Sequence, residues 1–270
     1  MLSYQHIYHA GCLPDIHKHM VLAEIFDLMA KKFKPMTYVE THAGRGYYDL
    51  NAPEASKTGE AAEGVLRMLK ENWFQPTRPF MKVLKDTQRR KGGQYYPGSA
   101  AIAEYYRSPG DKMHLMELHP GEIRYLQGSF KSSAIHIQQK DGYQALLTLA
   151  PPEPRRGLVF IDPSYEIKTE YDDMPGFVAK LMKKWAVPTL CIWYPLLPSL
   201  AHVTMVKKLY ALNLPKSGVF QVEFCPRPER GDGWKALYGS GLFIANIPFG
   251  LEQRVEEIQR RLRGIKKTEE

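Results

Sequence analysis

An acid, a proline and an aromatic end an unbroken apolar run in Leu158-Val159-Phe160-Ile161-Asp162-Pro163-Ser164-Tyr165. Four apolar residues without a polar position predict a strand buried on both faces of a parallel sheet. Pro163 lacks an N–H and fixes φ, so it ends the ladder. Asp162, the Pro163 carbonyl and the Tyr165 ring are therefore expected to emerge together at the carboxyl end of a strand, where open α/β sheets bind ligands. That trio suits one chemistry. The exocyclic amine of a nucleobase is a poor nucleophile, because its lone pair is delocalised into the ring. A carboxylate and a carbonyl aimed at it favour the pyramidal form that can attack, and an aromatic ring can stack on the flipped-out base. An ordinary strand-ending turn, which Asp-Pro-Ser also makes, is the other reading of the segment.

A second constellation lies in Met36-Thr37-Tyr38-Val39-Glu40-Thr41-His42-Ala43-Gly44-Arg45-Gly46, a strand running into a turn with two glycines. Gly44 and Gly46 let the backbone approach a ligand with no Cβ in the way. Tyr47, Tyr48 and Asp49 follow, so the third glycine of a dinucleotide fingerprint is missing. The turn therefore favours a ligand without phosphates, such as an adenosyl amino acid, over a pyrophosphate. Glu117, closing the strand candidate His114-Leu115-Met116, can accept from ribose hydroxyls, and Asp141, before Gly142, can read an adenine amino group. Taken alone, each acid favours the reading of a solvated loop carboxylate.

The amino terminus is dense in His and aromatic residues: Tyr4, His6, His9, His17 and His19 fall within one short stretch. Such a segment suggests metal first. The three cysteines, Cys12, Cys191 and Cys225, are far apart, however, and no H-E-x-x-H occurs, so no metal site is expected. From Asp15 to Lys32 the apolar positions suit a helix with Asp15 as its N-cap.

This opening resembles that of the RlmJ family, bacterial methyltransferases acting on N6 of an adenine in 23S ribosomal RNA. The likeness is colinear: Ser-Tyr-x-His and His-Ala-Gly, Asp-x-x-Lys-His, Thr41-His42-Ala43-Gly44-x-Gly46, Tyr95-Tyr96-Pro97-Gly98-Ser99, Glu117-Leu118-His119-Pro120, Asp141-Gly142, Trp193-Tyr194-Pro195 and Gly239-Ser240-Gly241. The resemblance implies a pocket for the methyl donor S-adenosylmethionine built from His19, His42, Ser99, Glu117, Asp141, Gly142 and Asp162, with Gly44 in its glycine turn and Lys18 beside it. It implies that Tyr4 reaches the target nucleotide and that Asp162 is the catalytic acid, with Pro163 and Tyr165 completing the corner. The family's Asp-Pro-Pro-Tyr is spelled Asp-Pro-Ser-Tyr here, which relaxes the turn but keeps the Pro163 carbonyl.

Composition agrees with a polyanionic partner. The formal net charge is +8 over 270 residues, a balance that suits nucleic acid. Basic residues gather at Lys82, Lys85, Arg89, Arg90 and Lys91, at Arg155 and Arg156, and at Arg227, Arg230 and Lys235 near Trp234. With no long apolar run, no signal-peptide core and no cysteine framework, a cytoplasmic protein is expected, monomeric and without a membrane or protein partner.

Seven strands are predicted, at Thr37–Glu40, Met113–Leu118, Ala134–Gln138, Leu158–Ile161, Leu190–Trp193, Val219–Phe224 and Leu242–Ile247. Helical stretches between most of them give a βαβ pattern, and the last two strands form an antiparallel pair at the sheet edge. The expected architecture is α/β, a Rossmann-like class I S-adenosylmethionine-dependent methyltransferase domain over residues 1–270. Residues 51–94 interrupt the first βα unit as a small helical subdomain whose basic second half could dock RNA. An amphipathic helix is expected from Leu251 to Lys267. A DNA adenine methyltransferase, a nicotinamide-dependent dehydrogenase and a non-catalytic RNA-binding protein are the competing readings.

Overall fold

The computed structural model describes residues 4–167, 169–225 and 237–265. In chain order the elements are α1 (Leu13–Ala30), β1 (Thr37–Glu40), β2 (Tyr47–Asp49), α2 (Pro53–Thr58), α3 (Arg67–Lys70), α4 (Pro79–Lys91), β3 (Tyr95–Pro97), α5 (Ser99–Tyr106), β4 (Lys112–Met116), α6 (Pro120–Ser129), β5 (Ile135–Gln138) and α7 (Gly142–Leu149). There follow β6 (Gly157–Ile161), α8 (Glu170–Lys184), β7 (Thr189–Leu196), α9 (Ala201–Ala211), β8 (Gly218–Glu223), β9 (Gly239–Ala245) and α10 (Leu251–Arg263).

All seven expected strands form one sheet in the order β5-β4-β1-β6-β7-β9-β8. The pairings from β5 to β7 are parallel, while β9 alone is reversed and runs antiparallel to both β7 and β8, which puts the antiparallel pair at the edge. Strands β1, β6, β7 and β9 are buried at every residue, as their apolar runs require for a sheet covered on both faces. One layer packs α1 with α4, α5 and α10, and another packs α8 with α7 and α9. Strand order reverses at β1, which lies between β4 and β6. That reversal opens a crevice at the carboxyl ends of these three strands.

Two additional strands correct the sequence reading. Tyr47–Asp49 and Tyr95–Pro97 pair antiparallel as a separate ribbon, β2-β3. The ribbon frames the expected insertion and returns the chain to Gly98 and Ser99. Residues 51–94 do form helices, α2 to α4 with a π-helical turn at Ala62–Leu66. Val65, Met68, Phe80, Val83 and Leu84 are buried in the same core as α1, whereas Leu66 stays exposed. Lys82, Lys85, Arg89, Arg90 and Lys91 lie on the exposed side of α4.

Helix α1 departs from its expected start. Its N-cap is Cys12, with a proline in its first turn. Asp15 is inside that turn and completely buried, so it is not the cap; its carboxylate folds back to accept from the Gly11 N–H at 2.9 Å. Arg156, part of an expected basic cluster, is spent on structure, donating to the carbonyls of Met29 and Lys34 near the end of α1. In α10 the stripe of Leu251, Val255, Ile258 and Leu262 is buried as expected. Arg227, Arg230, Trp234 and Lys235 lie outside the described residues.

Candidate active site

A cavity of about 390 Å³ fills the crevice at the ends of β1, β4 and β6, a size within the range of small-molecule sites. Tyr4, Lys18, His19, His42, Gly44, Ser99, Glu117, Asp141, Gly142, Asp162 and Pro163 all line it. Residues from seven separate stretches of sequence thus meet at one place.

The backbone sets the shape. Gly44 has φ +58°, and a Cβ there would run into the Tyr48 hydroxyl. Gly142 sits against the Thr41 carbonyl, so a Cβ at that position would collide with backbone. Asp141 caps α7, accepting from the Gln144 N–H at 2.9 Å, and still faces the cavity.

Glu117 accepts from the Gly44 N–H at 2.8 Å and from the His119 N–H at 2.7 Å, tying the loop after β4 to the glycine turn. Burial pushes its carboxyl up to about 7. Behind Ser99, whose hydroxyl donates to Glu40, burial pushes the Glu40 carboxyl up to about 8. His19 shares a 2.8 Å hydrogen bond with the Tyr96 hydroxyl, and His42 one of 2.8 Å with the Thr41 hydroxyl. Burial lowers His19 to about 3 and His42 to about 4, so both imidazoles are neutral at pH 7.

Lys18 lies 2.7 Å from Asp162 and 3.0 Å from Asp15. Burial opposes its charge, but the two carboxylates outweigh burial and hold the ammonium protonated. Asp15 in turn meets His6 at 2.9 Å, and the other nitrogen of His6 meets the Tyr4 hydroxyl at 2.8 Å. One polar chain therefore runs from Tyr4 to Asp162. His6 was not among the expected site residues, although it stands in the opening motif.

Tyr165 is the one expected residue that does not line the cavity. Its backbone is left-handed, φ +55°, and its ring packs 4.4 Å from that of Tyr171. Its hydroxyl donates to the Trp193 carbonyl at 2.8 Å. In this arrangement the ring is core, not a platform for a base. Trp193, at the end of an expected strand, is one of the aromatics in the cavity wall, with the Lys18 ammonium 4.9 Å from its ring centre. Trp193 Nε1 donates to the Ser240 hydroxyl at 2.8 Å, and Ser240 is joined to His17 at 2.9 Å. Sequence reasoning missed Trp193 as a site residue, though an indole closing a buried strand beside Asp162's own was a usable signal.

The reversal of strand order at β1, the single reversed strand β9 and a cavity built on strand ends define a Rossmann-like class I S-adenosylmethionine-dependent methyltransferase fold. The fold of a probable spermidine synthase from Corynebacterium glutamicum is related at TM-score 0.51 and 9% identity, over 92% of this chain and 71% of that one. The chain belongs to the RlmJ family: the family model described as Ribosomal RNA large subunit methyltransferase D, RlmJ, matches residues 33–265. Ribosomal RNA large subunit methyltransferase J of Escherichia coli is 35% identical over 96% of this chain and 91% of its own length. Its counterpart in Haemophilus influenzae is 34% identical over 96% and 92%. A solved Legionella pneumophila structure superposes at TM-score 0.83 with 29% identity, covering 94% of this chain and 92% of that one. No helix among the described residues is long and apolar enough to cross a membrane.

Proposed function

We propose that this protein transfers a methyl group from S-adenosylmethionine to N6 of an adenine in 23S ribosomal RNA. Family membership supports ribosomal RNA as the substrate. The observation that carries the reaction is the meeting of Asp162 and Pro163 with Glu117, Asp141 and the Gly44 turn in one cavity. The donor fits this pocket on three counts: volume, side-chain-free backbone at Gly44 and Gly142, and acceptors suited to its hydroxyls and amines. Glu117 would hold the ribose, Asp141 the adenine amino group, and His19, His42, Ser99 and Lys18 the remainder. When bound, S-adenosylmethionine supplies an electrophilic methyl group on a sulfonium sulfur.

The protein's own part is to make the amine attack. Asp162 accepts from the target NH2, and the Pro163 carbonyl is the second acceptor, which localises the nitrogen lone pair. Lys18 holds the Asp162 carboxylate in place through their 2.7 Å ion pair. Trp193 offers the stacking surface for the flipped base, and Tyr4 lies where the nucleotide enters.

The test is transfer of labelled methyl to unmodified 23S ribosomal RNA and to DNA of the same sequence, with nucleoside analysis of the product. N6-methyladenosine in RNA, reduced about 10²-fold or more by Asp162→Ala, is expected. Transfer to DNA instead, or full activity in the variant, overturns the reading.

A further inference from the structure

Arg45, between the two glycines of the turn, is nearly buried, and the hydrogen-bond and ring partners of its guanidinium lie on one helix. Its guanidinium makes two hydrogen bonds to the Glu122 carboxylate, Nε to Oε2 at 2.9 Å and Nη2 to Oε1 at 2.5 Å. The two side chains are 8% and 3% exposed, so this is an interior pair and not a surface contact. The face of the same guanidinium lies 4.3 Å from the ring centre of Tyr125, and the Ser129 hydroxyl donates to the Arg45 carbonyl at 3.3 Å. Glu122, Tyr125 and Ser129 follow the i, i+3, i+7 stripe of a single helix face, that of α6. Gly46 presses on the same helix, close to Leu126 and Phe130. Helix α6 begins immediately after Glu117-Leu118-His119. The glycine turn and the ribose-side acid are thus docked on one rigid body, and the Gly44 N–H meets Glu117 at 2.8 Å across the joint.

We propose that Arg45 is a positioning residue for the methyl-donor pocket: held by Glu122, Tyr125 and Ser129, it fixes the distance between the Gly44 turn and Glu117. This rests on the donor site described above. Arg45 itself does not line the cavity, whereas Glu122 does, so Arg45 reaches the donor through backbone placement and Arg45→Lys is the variant that isolates this effect. A planar fork is needed for that task, because a lysine ammonium keeps the charge without the two-point grip.

The experiment is calorimetric titration of wild type, Arg45→Lys and Glu122→Gln with S-adenosylmethionine and S-adenosylhomocysteine. Thermal unfolding and steady-state kinetics on RNA accompany it. In both variants Kd for the donor should rise about tenfold, while kcat at saturating donor and KM for RNA stay within about twofold. Tyr125→Leu and Ser129→Ala, at the edge of the grip, stay testable if the buried pair proves essential for folding, and should raise donor Kd about two- to threefold. Folded variants that bind donor as wild type does would overturn the proposal alone, as would a fall in kcat with unchanged Kd. A wild-type protein that binds neither ligand would overturn both the proposal and the donor site on which it rests.

Discussion

Lys18 and Asp162 approach to 2.7 Å, although 144 residues separate them, and Asp15 holds the other side of the same ammonium at 3.0 Å. All three side chains are buried or nearly so. Burial opposes ionisation of Asp15, yet His6 and Lys18 hold its carboxyl well below the usual range. A depressed carboxyl stabilises the fold above its unfolded pKa, and that stability is lost as pH falls through the folded value. Lys18→Met removes the cation and leaves two facing acids. It should cost about 3–5 kcal/mol at pH 7, measured by urea unfolding. The loss should shrink toward pH 4, where the buried Asp15, deprived of its cation, can take up a proton. A variant equally destabilised at both pH values would mean that packing, not charge, dominates.

Glu117 should give the proposed donor site a pH dependence. With its carboxyl near 7, it is mostly neutral at pH 6 and mostly ionised at pH 8. Folding stability carries no penalty from it below about 4.5, and a growing one as pH rises toward 7. Donor binding runs the other way, because the ionised form is the better acceptor for ribose hydroxyls. If only that form binds well, affinity for S-adenosylhomocysteine should improve about tenfold from pH 6 to pH 8. Glu117→Gln should bind more weakly and flatten the profile. A slope that survives Glu117→Gln would belong to another group of the cavity.

Gly142 tests the backbone approach. A methyl group there has no free space, since the nearest atom is the Thr41 carbonyl oxygen. Backbone cannot rotate aside as a side chain can, so Gly142→Ala should destabilise by roughly 1–3 kcal/mol and weaken donor binding as the β1 and β5 loops part. Differential scanning calorimetry with and without donor measures both effects. Wild-type stability with wild-type binding would show that the loops have slack.

What was legible in the sequence follows local rules. Leu158–Ile161 announced its strand because every residue is apolar, and the Gly44 and Asp141-Gly142 turns were visible as turn chemistry. The β2-β3 ribbon was not, since three-residue strands such as Tyr47–Asp49 are too short to show a period. Asp15 was misplaced because an acid near a helix start usually caps, and only the fold reveals the buried Lys18 and the partly buried His6 that claim it. Arg45 and Glu122, 77 positions apart, are linked by tertiary packing alone. The direction of Tyr165 depends on its left-handed φ, a conformation that side chains other than glycine seldom adopt.

That φ separates the roles of two aromatics. Tyr165 turns inward and donates to the Trp193 carbonyl, while the Trp193 ring faces the cavity and is held by Ser240. Tyr165→Phe removes one buried hydrogen bond and should cost about 1–3 kcal/mol of stability, with RNA affinity unchanged. Trp193→Leu keeps an apolar side chain but loses the stacking face, and should weaken productive RNA binding by roughly 1–3 kcal/mol. Urea unfolding and KM for an RNA fragment, measured on both variants, distinguish the two. If Trp193→Leu methylates RNA with wild-type KM and kcat, the indole is only a wall of the cavity. If Tyr165→Phe instead loses RNA affinity at unchanged stability, the corner must rearrange on binding so that Tyr165 reaches the base.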